Sequence, residues 1–151
     1  MSLELRIDMS IVDYTIKLLG LSEVIHKWYG SIRGLDTEKR EKIAKYCETI
    51  ADTLDRTAVA FDKLSANAAN KTAARDARRE LGRMTGYVED IAAALEDHLD
   101  GRKIAGVKRR LEALIDKRRI DQAIAQADDA RAARLVEAEG YFRSVADRLR
   151  A

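Results

Sequence analysis

The stretch 11–32 most constrains the fold, because its apolar residues recur in alternating steps of three and four. Such steps place side chains on one face of an α-helix. The recurring positions are Ile11, Tyr14, Leu18, Leu21, Ile25, Trp28 and Ile32. Beside them lies a second row, which we define as Val12, Ile16 and Leu19, with Val24 and Tyr29 nearby. The sequence therefore predicts a helix whose apolar surface is wider than membership of a bundle requires.

The composition points to an all-helical protein with an aliphatic core. There is no proline among the 151 residues, 46% are hydrophobic and only 5% are aromatic. This length suits a single domain with a sizeable core. We expect one helical-bundle domain over 1–151, with 131–151 as a C-terminal helical extension or brace.

The hydrophobic rhythm predicts an antiparallel four-helix bundle with helices at about 10–32, 36–64, 72–99 and 102–150. Asp36 or Thr37 is expected to cap the second helix, and Asn70 or Thr72 the third. The second helix is expected to bury Ile43, Cys47, Ile50, Leu54, Thr57, Phe61 and Leu64. The third is expected to bury Ala74, Ala77, Leu81, Met84, Val88, Ile91 and Leu95, with His98 as a polar cap on the end of the core.

The last predicted helix is long and is expected to be kinked or broken near 116–119, because Ile120 and Ile124 are displaced from the earlier rhythm. A chain with five helices is the alternative to four. Leu135, Ala138, Phe142, Val145 and Leu149 form a further helical stripe. We expect this stripe to cover the second row, either within one chain or between two chains.

Charges on the third predicted helix oppose the helix dipole, since its start is basic and its end is acidic. If the chain turns back at Gly101, Lys108 and its basic neighbours lie along the acidic end. Asp121, Asp128 and Asp129 then lie along the basic start. This pattern predicts a helical hairpin whose orientation is fixed by ion pairs.

Residues 102–119 contain eight basic and two acidic side chains. They form either a patch for anionic lipid or nucleic acid, or a salt-bridging face for the preceding helix. We favour the salt-bridging face, because matching acids exist and aromatic residues are not interleaved. Arg118 and Arg119 are the exception, and we expect them to be free for a partner.

The sequence argues against several chemistries. Glu23 and His26 form a single Glu-x-x-His motif, and His98 lacks a second one, so a carboxylate-bridged metal site is not expected. Helical RNases of the HEPN type are similar in size and class, but their arginine–histidine signature is missing. No phosphate-binding glycine loop occurs. Cys47 lies at an apolar helical position and is expected to be a buried free thiol. We predict no catalytic residue, metal, cofactor or enzymatic activity.

The charge balance and hydropathy favour a cytoplasmic protein with a protein partner. The net charge of +2 does not indicate a nucleic-acid partner. No apolar run approaches the roughly 20 residues that span a bilayer. We predict a protein–protein interaction or adaptor module that self-associates, as a dimer. The interaction residues expected are Val12, Ile16, Leu19, Tyr29, Arg118, Arg119, Leu135, Phe142 and Leu149.

The alternative is a membrane-perturbing four-helix bundle, regulated by its C-terminal brace helix and acting on anionic membranes. Leu19-Gly20 followed by Val24-Ile25-His26-Lys27 resembles the first helix of necroptosis-type killer bundles, over two short stretches only. That resemblance implies a brace helix after the bundle.

Overall fold

A computed structural model describes residues 13–96 and 101–151 of the chain. These residues are all-helical, as predicted, and contain no strand. They form seven helices: α1 (Tyr14–Lys27), α2 (Tyr29–Arg33), α3 (Thr37–Ala66), α4 (Lys71–Leu95), α5 (Gly101–Ile115), α6 (Lys117–Ala125) and α7 (Asp129–Arg150). No helix in these ranges is both long and apolar enough to cross a membrane.

The predicted division into four helices is not confirmed, because two of the four are interrupted. The predicted helix 10–32 is broken at Trp28 into α1 and α2, and its first residues lie outside the described part of the chain. The predicted helix 102–150 is divided into α5, α6 and α7. One of its two breaks lies at Asp116, within the segment where a break was expected.

Acidic and amide caps explain where most helices begin. The side chains of Asp36 and Asn70 accept hydrogen bonds from backbone N–H groups two or three residues inside α3 and α4. Asp116 and Asp128 do the same for α6 and α7. Each cap satisfies a donor that the first helical turn leaves unpaired. The break at 116 therefore has a local cause, since Asp116 ends one helix and starts another.

The helices surround one aliphatic core. α3 packs most extensively against α7 and then against α4, while α1 packs against α7 and α5, and α4 packs against α5 and α6. The positions predicted to be buried on the second helix are all buried on α3. Of those predicted on the third helix, only Ala74 is partly exposed. The heptad rhythm therefore identified the buried faces of the two longest helices.

Ion pairs join α4 to α5 and α6 in the antiparallel register expected from the charge pattern. Lys108 Nζ lies 3.0 Å from Glu96 Oε1, and Arg78 Nε donates to Asp121 Oδ1 at 2.8 Å. Asp128 was also expected along the basic start of α4, but the ion pair that it forms is with a different helix. Its carboxylate caps α7 and pairs with Arg131 in the same helix at 2.6 Å.

Asp13 connects the start of α1 to α7. Its carboxylate accepts hydrogen bonds from the backbone and hydroxyl of Thr15, and it lies 3.0 Å from Arg131 Nε and 2.7 Å from Arg134 NH1. Burial alone would raise the pKa of Asp13, but the Thr15 hydrogen bonds and the two arginines hold it below its usual value. The buried Tyr14 hydroxyl donates to the Leu114 carbonyl of α5 at 3.0 Å, so α1 is tied to both of its neighbours.

The substitution Asp13→Asn should weaken folding in a pH-dependent way. Asparagine still caps the helix, but it loses the charge-assisted contacts, and we expect a cost of about 1–3 kcal/mol at pH 7. Because the folded-state pKa of Asp13 is depressed, its stabilisation is present above the unfolded pKa and is lost as pH falls through the folded value. Urea denaturation at pH 7 and pH 3 should show the difference from wild type shrinking in acid. A constant difference would contradict this assignment.

Glycine within α7 should be replaceable with a gain in stability. A methyl group at Gly140 would meet no heavy atom within 4 Å. Alanine has a higher helix propensity than glycine, so Gly140→Ala should stabilise the protein by about 0.5–1 kcal/mol. The reverse exchange, Ala133→Gly at an exposed position of the same helix, should destabilise it by a similar amount. Thermal unfolding followed by circular dichroism measures both shifts.

Candidate functional site

We define the outer face of α1 by Ile16 and Leu19. These are the two residues of the second row that the structure describes. Tyr14, Leu18 and Leu21 point into the core, and a helix of 3.6 residues per turn places Ile16 roughly 200° from Tyr14. Ile16 is 50% exposed and Leu19 is partly buried. Ile16 therefore lies on the solvent side of α1, and the described part of the chain leaves it half-exposed.

Two other members of the predicted surface have different surroundings. Val12 lies outside the described residues. Tyr29 contacts α7 within the same chain: the Arg148 guanidinium carbon lies 3.9 Å from the ring centroid, and the hydroxyl donates to the Arg148 carbonyl at 3.4 Å. This is a cation–π contact, which orients the ring along the seam between α2 and α7.

The predicted stripe on the C-terminal helix lies in the core. Leu135, Phe142 and Leu149 are all buried, where α7 packs against α3 and α1. None of them is more than 9% exposed to solvent. Contact with a second chain through these three side chains would require α7 to leave its place.

Arg118 and Arg119 lie in the first turn of α6, and both are exposed. Arg119 Nε is 3.9 Å from Asp116 Oδ2, a loose ion pair of two exposed groups. The Arg118 backbone N–H donates to the same carboxylate, and its side chain has no ion pair with any described residue. Arg118 therefore presents an accessible charge, whereas the charge of Arg119 is partly offset by Asp116.

Groups able to support catalysis or bind a metal are dispersed. No cluster of three or more potential metal-ligating side chains occurs within 13–96 and 101–151. His26 packs edge-on against Tyr141, with ring centroids 5.2 Å apart. Burial raises the pKa of Cys47 to about 12, so this thiol stays protonated and is a poor nucleophile at neutral pH. His98 lies outside the described residues.

A buried carboxylate between α3 and α4 was not anticipated from the sequence. The Glu80 side chain is only 5% exposed, and its Oε2 lies 3.1 Å from Arg56 NH2 of α3. Arg79 and Arg83 of its own helix lie at 3.9 and 3.8 Å from Oε1. The available signal was its spacing, since Glu80 lies three residues after Ala77 and four before Met84 on the buried face of α4.

Glu80, Arg56 and Arg79 line a cleft of about 200 Å³ between α3 and α4. The cleft contains both positive and negative side chains, and the Glu80 cluster has the geometry of an ion pair that fixes the contact between the two helices. A buried charge that keeps its partners specifies an arrangement more than it adds net stability. We therefore assign Glu80 a structural role.

Comparisons with protein-family models, with curated proteins and with solved structures find no match to this chain.

Replacing Glu80 should cost more than replacing any one of its partners. Glu80→Gln leaves three arginines facing a neutral amide at a buried position, and we expect a loss of about 1–2 kcal/mol in unfolding free energy. Arg83→Gln removes a half-exposed cation at longer distance and should cost less than about 0.5 kcal/mol. Chemical denaturation of both variants provides the comparison. Equal losses would show that Glu80 is not the centre of the cluster.

Proposed function

We propose that this chain is a non-enzymatic protein–protein interaction or adaptor module that self-associates through the outer face of α1. The observation that carries the proposal is the half-exposed Ile16 on a helix whose opposite side is fixed in the core. A second copy of the chain is the partner we infer. The surface is small in the described residues, so a weak and concentration-dependent dimer is expected.

The rigidity of α1 supports this role. The side chains of its inner row, Tyr14, Leu18, Leu21 and Ile25, are buried. Asp13 forms ion pairs with α7, and the Tyr14 hydroxyl donates a hydrogen bond to α5. Ile16 is therefore presented on a pre-organised backbone, and binding would order few additional groups. In a two-fold dimer the same patch lies on both sides of the interface, which suits an apolar row that pairs with itself.

The bundle architecture is also a proposal. α1, α7, α3 and α4 each pack against the next, and α5 with α6 spans the gap between α4 and α1. We interpret the first four as a four-helix bundle and the α5–α6 pair as a cover on its open side. The C-terminal helix is then a bundle member and not an accessory brace.

The burial of α7 weighs against the membrane-perturbing alternative, in which this helix is released. Leu135, Phe142 and Val145 are almost completely buried, and each contributes roughly 1.5–3 kcal/mol on leaving water. Losing these and the other buried side chains of α7 would remove stabilisation comparable to the roughly 5–15 kcal/mol of a whole domain. Release of α7 would therefore unfold the bundle before it exposed α1.

The proposal predicts a dimer that depends on Ile16. Wild-type protein should shift from monomer to dimer with rising concentration in sedimentation velocity, and Ile16→Glu should remain monomeric because two buried carboxylates would face each other. The matched control is Val136→Glu. Val136 of α7 is 52% exposed, close to Ile16 in size and exposure, but lies on another helix.

The control should dimerise like wild type, and circular dichroism should show the same helix content for all three proteins. A wild-type protein that stays monomeric at the highest soluble concentration would refute self-association. Equal loss of dimer in both glutamate variants would place the interface elsewhere.

A further inference from the structure

A second surface on α1 is basic and lies between α1 and α5. α1 and α5 border a groove of about 280 Å³ lined by Lys17, Gly20, Arg109, Arg110 and Ala113. Gly20 and Ala113 leave room at the base of the groove, because neither carries a long side chain. The cations therefore stand around a concave surface. We call these five residues the α1–α5 groove.

The positive charges of the groove are not neutralised by the acids that the structure describes. Lys17, Arg109 and Arg110 form no ion pair with a carboxylate in 13–96 or 101–151. The Arg110 guanidinium has only a long contact of 3.5 Å with the Gly106 carbonyl of its own helix. The salt-bridging face expected of 102–119 thus accounts for Lys108, but not for these two arginines.

A further cation, Arg119, lies close enough to the groove to affect Lys17. Burial lowers the pKa of Lys17, and the positive charge of nearby Arg119 lowers it further. Arg119 has Asp116 as its acidic neighbour, at 3.9 Å. The groove therefore has a positive potential that an anion would relieve, since like charges held together repel in the absence of a counter-ion.

We propose that the α1–α5 groove binds a phosphate-bearing anion of small size. Arginine side chains offer several N–H donors to phosphate oxygens, and lysine adds a compact positive charge. The groove is slightly smaller than the roughly 300–1,000 Å³ typical of small-molecule pockets, which suits a headgroup or a short phosphate better than a polymer. This inference is independent of self-association, because the groove residues are not those of the outer face of α1.

Two arms of one experiment distinguish the source of the phosphate. Calorimetric titration with inorganic pyrophosphate tests a free phosphate, and co-flotation with phosphatidylcholine vesicles, with and without phosphatidic acid, tests a lipid headgroup. We expect wild-type protein to bind in at least one arm, with an affinity that falls as salt rises. Binding only to vesicles that contain phosphatidic acid assigns the groove to a headgroup.

Matched variants locate the site. The double variant Lys17→Gln, Arg110→Gln keeps a polar side chain at each position and removes two charges, and it should bind about tenfold more weakly or worse. Lys42→Gln removes an exposed cation from α3 and should bind like wild type. Ile16→Gln, which adds no charge beside Lys17, should weaken the dimer and retain phosphate binding, so failure of the dimer and failure of this site remain distinguishable.

Several results would overturn the proposal. Absence of binding in both arms would do so, as would equal weakening by Lys42→Gln, which would indicate only general electrostatic attraction. Unchanged binding by the double variant, with helix content equal to wild type, would place the anion elsewhere. Binding to a single-stranded oligonucleotide but in neither phosphate arm would assign the surface to nucleic acid instead.

Discussion

The position of α7 between α1 and α3 is the constraint on which the rest of the structure depends. α7 is the last helix of the chain, yet its apolar face fills the centre of the core and its arginines hold both neighbours. Arg134 reaches the carboxylate of Asp13 at the start of α1, and Arg143 reaches Asp52 of α3 at 3.0 Å. Because these contacts join residues far apart in the sequence, the helical core is complete only when α7 is in place.

This closure determines which faces of α1 stay accessible. The inner row of α1 packs in the core, and α1 also packs against α7 and α5. What remains is the outward side, with Ile16, and the basic groove towards α5. Two chemically different surfaces thus lie on one short helix, one apolar and one cationic.

The candidate sites were only partly predictable. Ile16 was expected at an interface and Arg118 was expected to be free for a partner. Both are exposed, because the periodicity places them off the buried stripes. Leu135 and Phe142 were also expected at an interface, but the same periodicity cannot say whether an apolar stripe meets its own chain or another. The role of Glu80 was missed because it depends on an ion pair with Arg56, which lies on a different helix. The cationic groove likewise depends on which helix lies beside α1.

The sequence by itself determined that the described residues are helical, where α3 and α4 begin, and which stripe of these two helices is buried. Heptad spacing fixes a helical face, and Asp36, Asn70 and Asp116 cap helices through hydrogen bonds to residues a few positions away. These are local effects, encoded within one or two helical turns. Tertiary structure decided which stripes meet, that α7 is central, and that Lys17 and Arg110 border one groove. Such pairings depend on the packing of distant helices, where several arrangements satisfy the same local pattern and only the assembled core selects one.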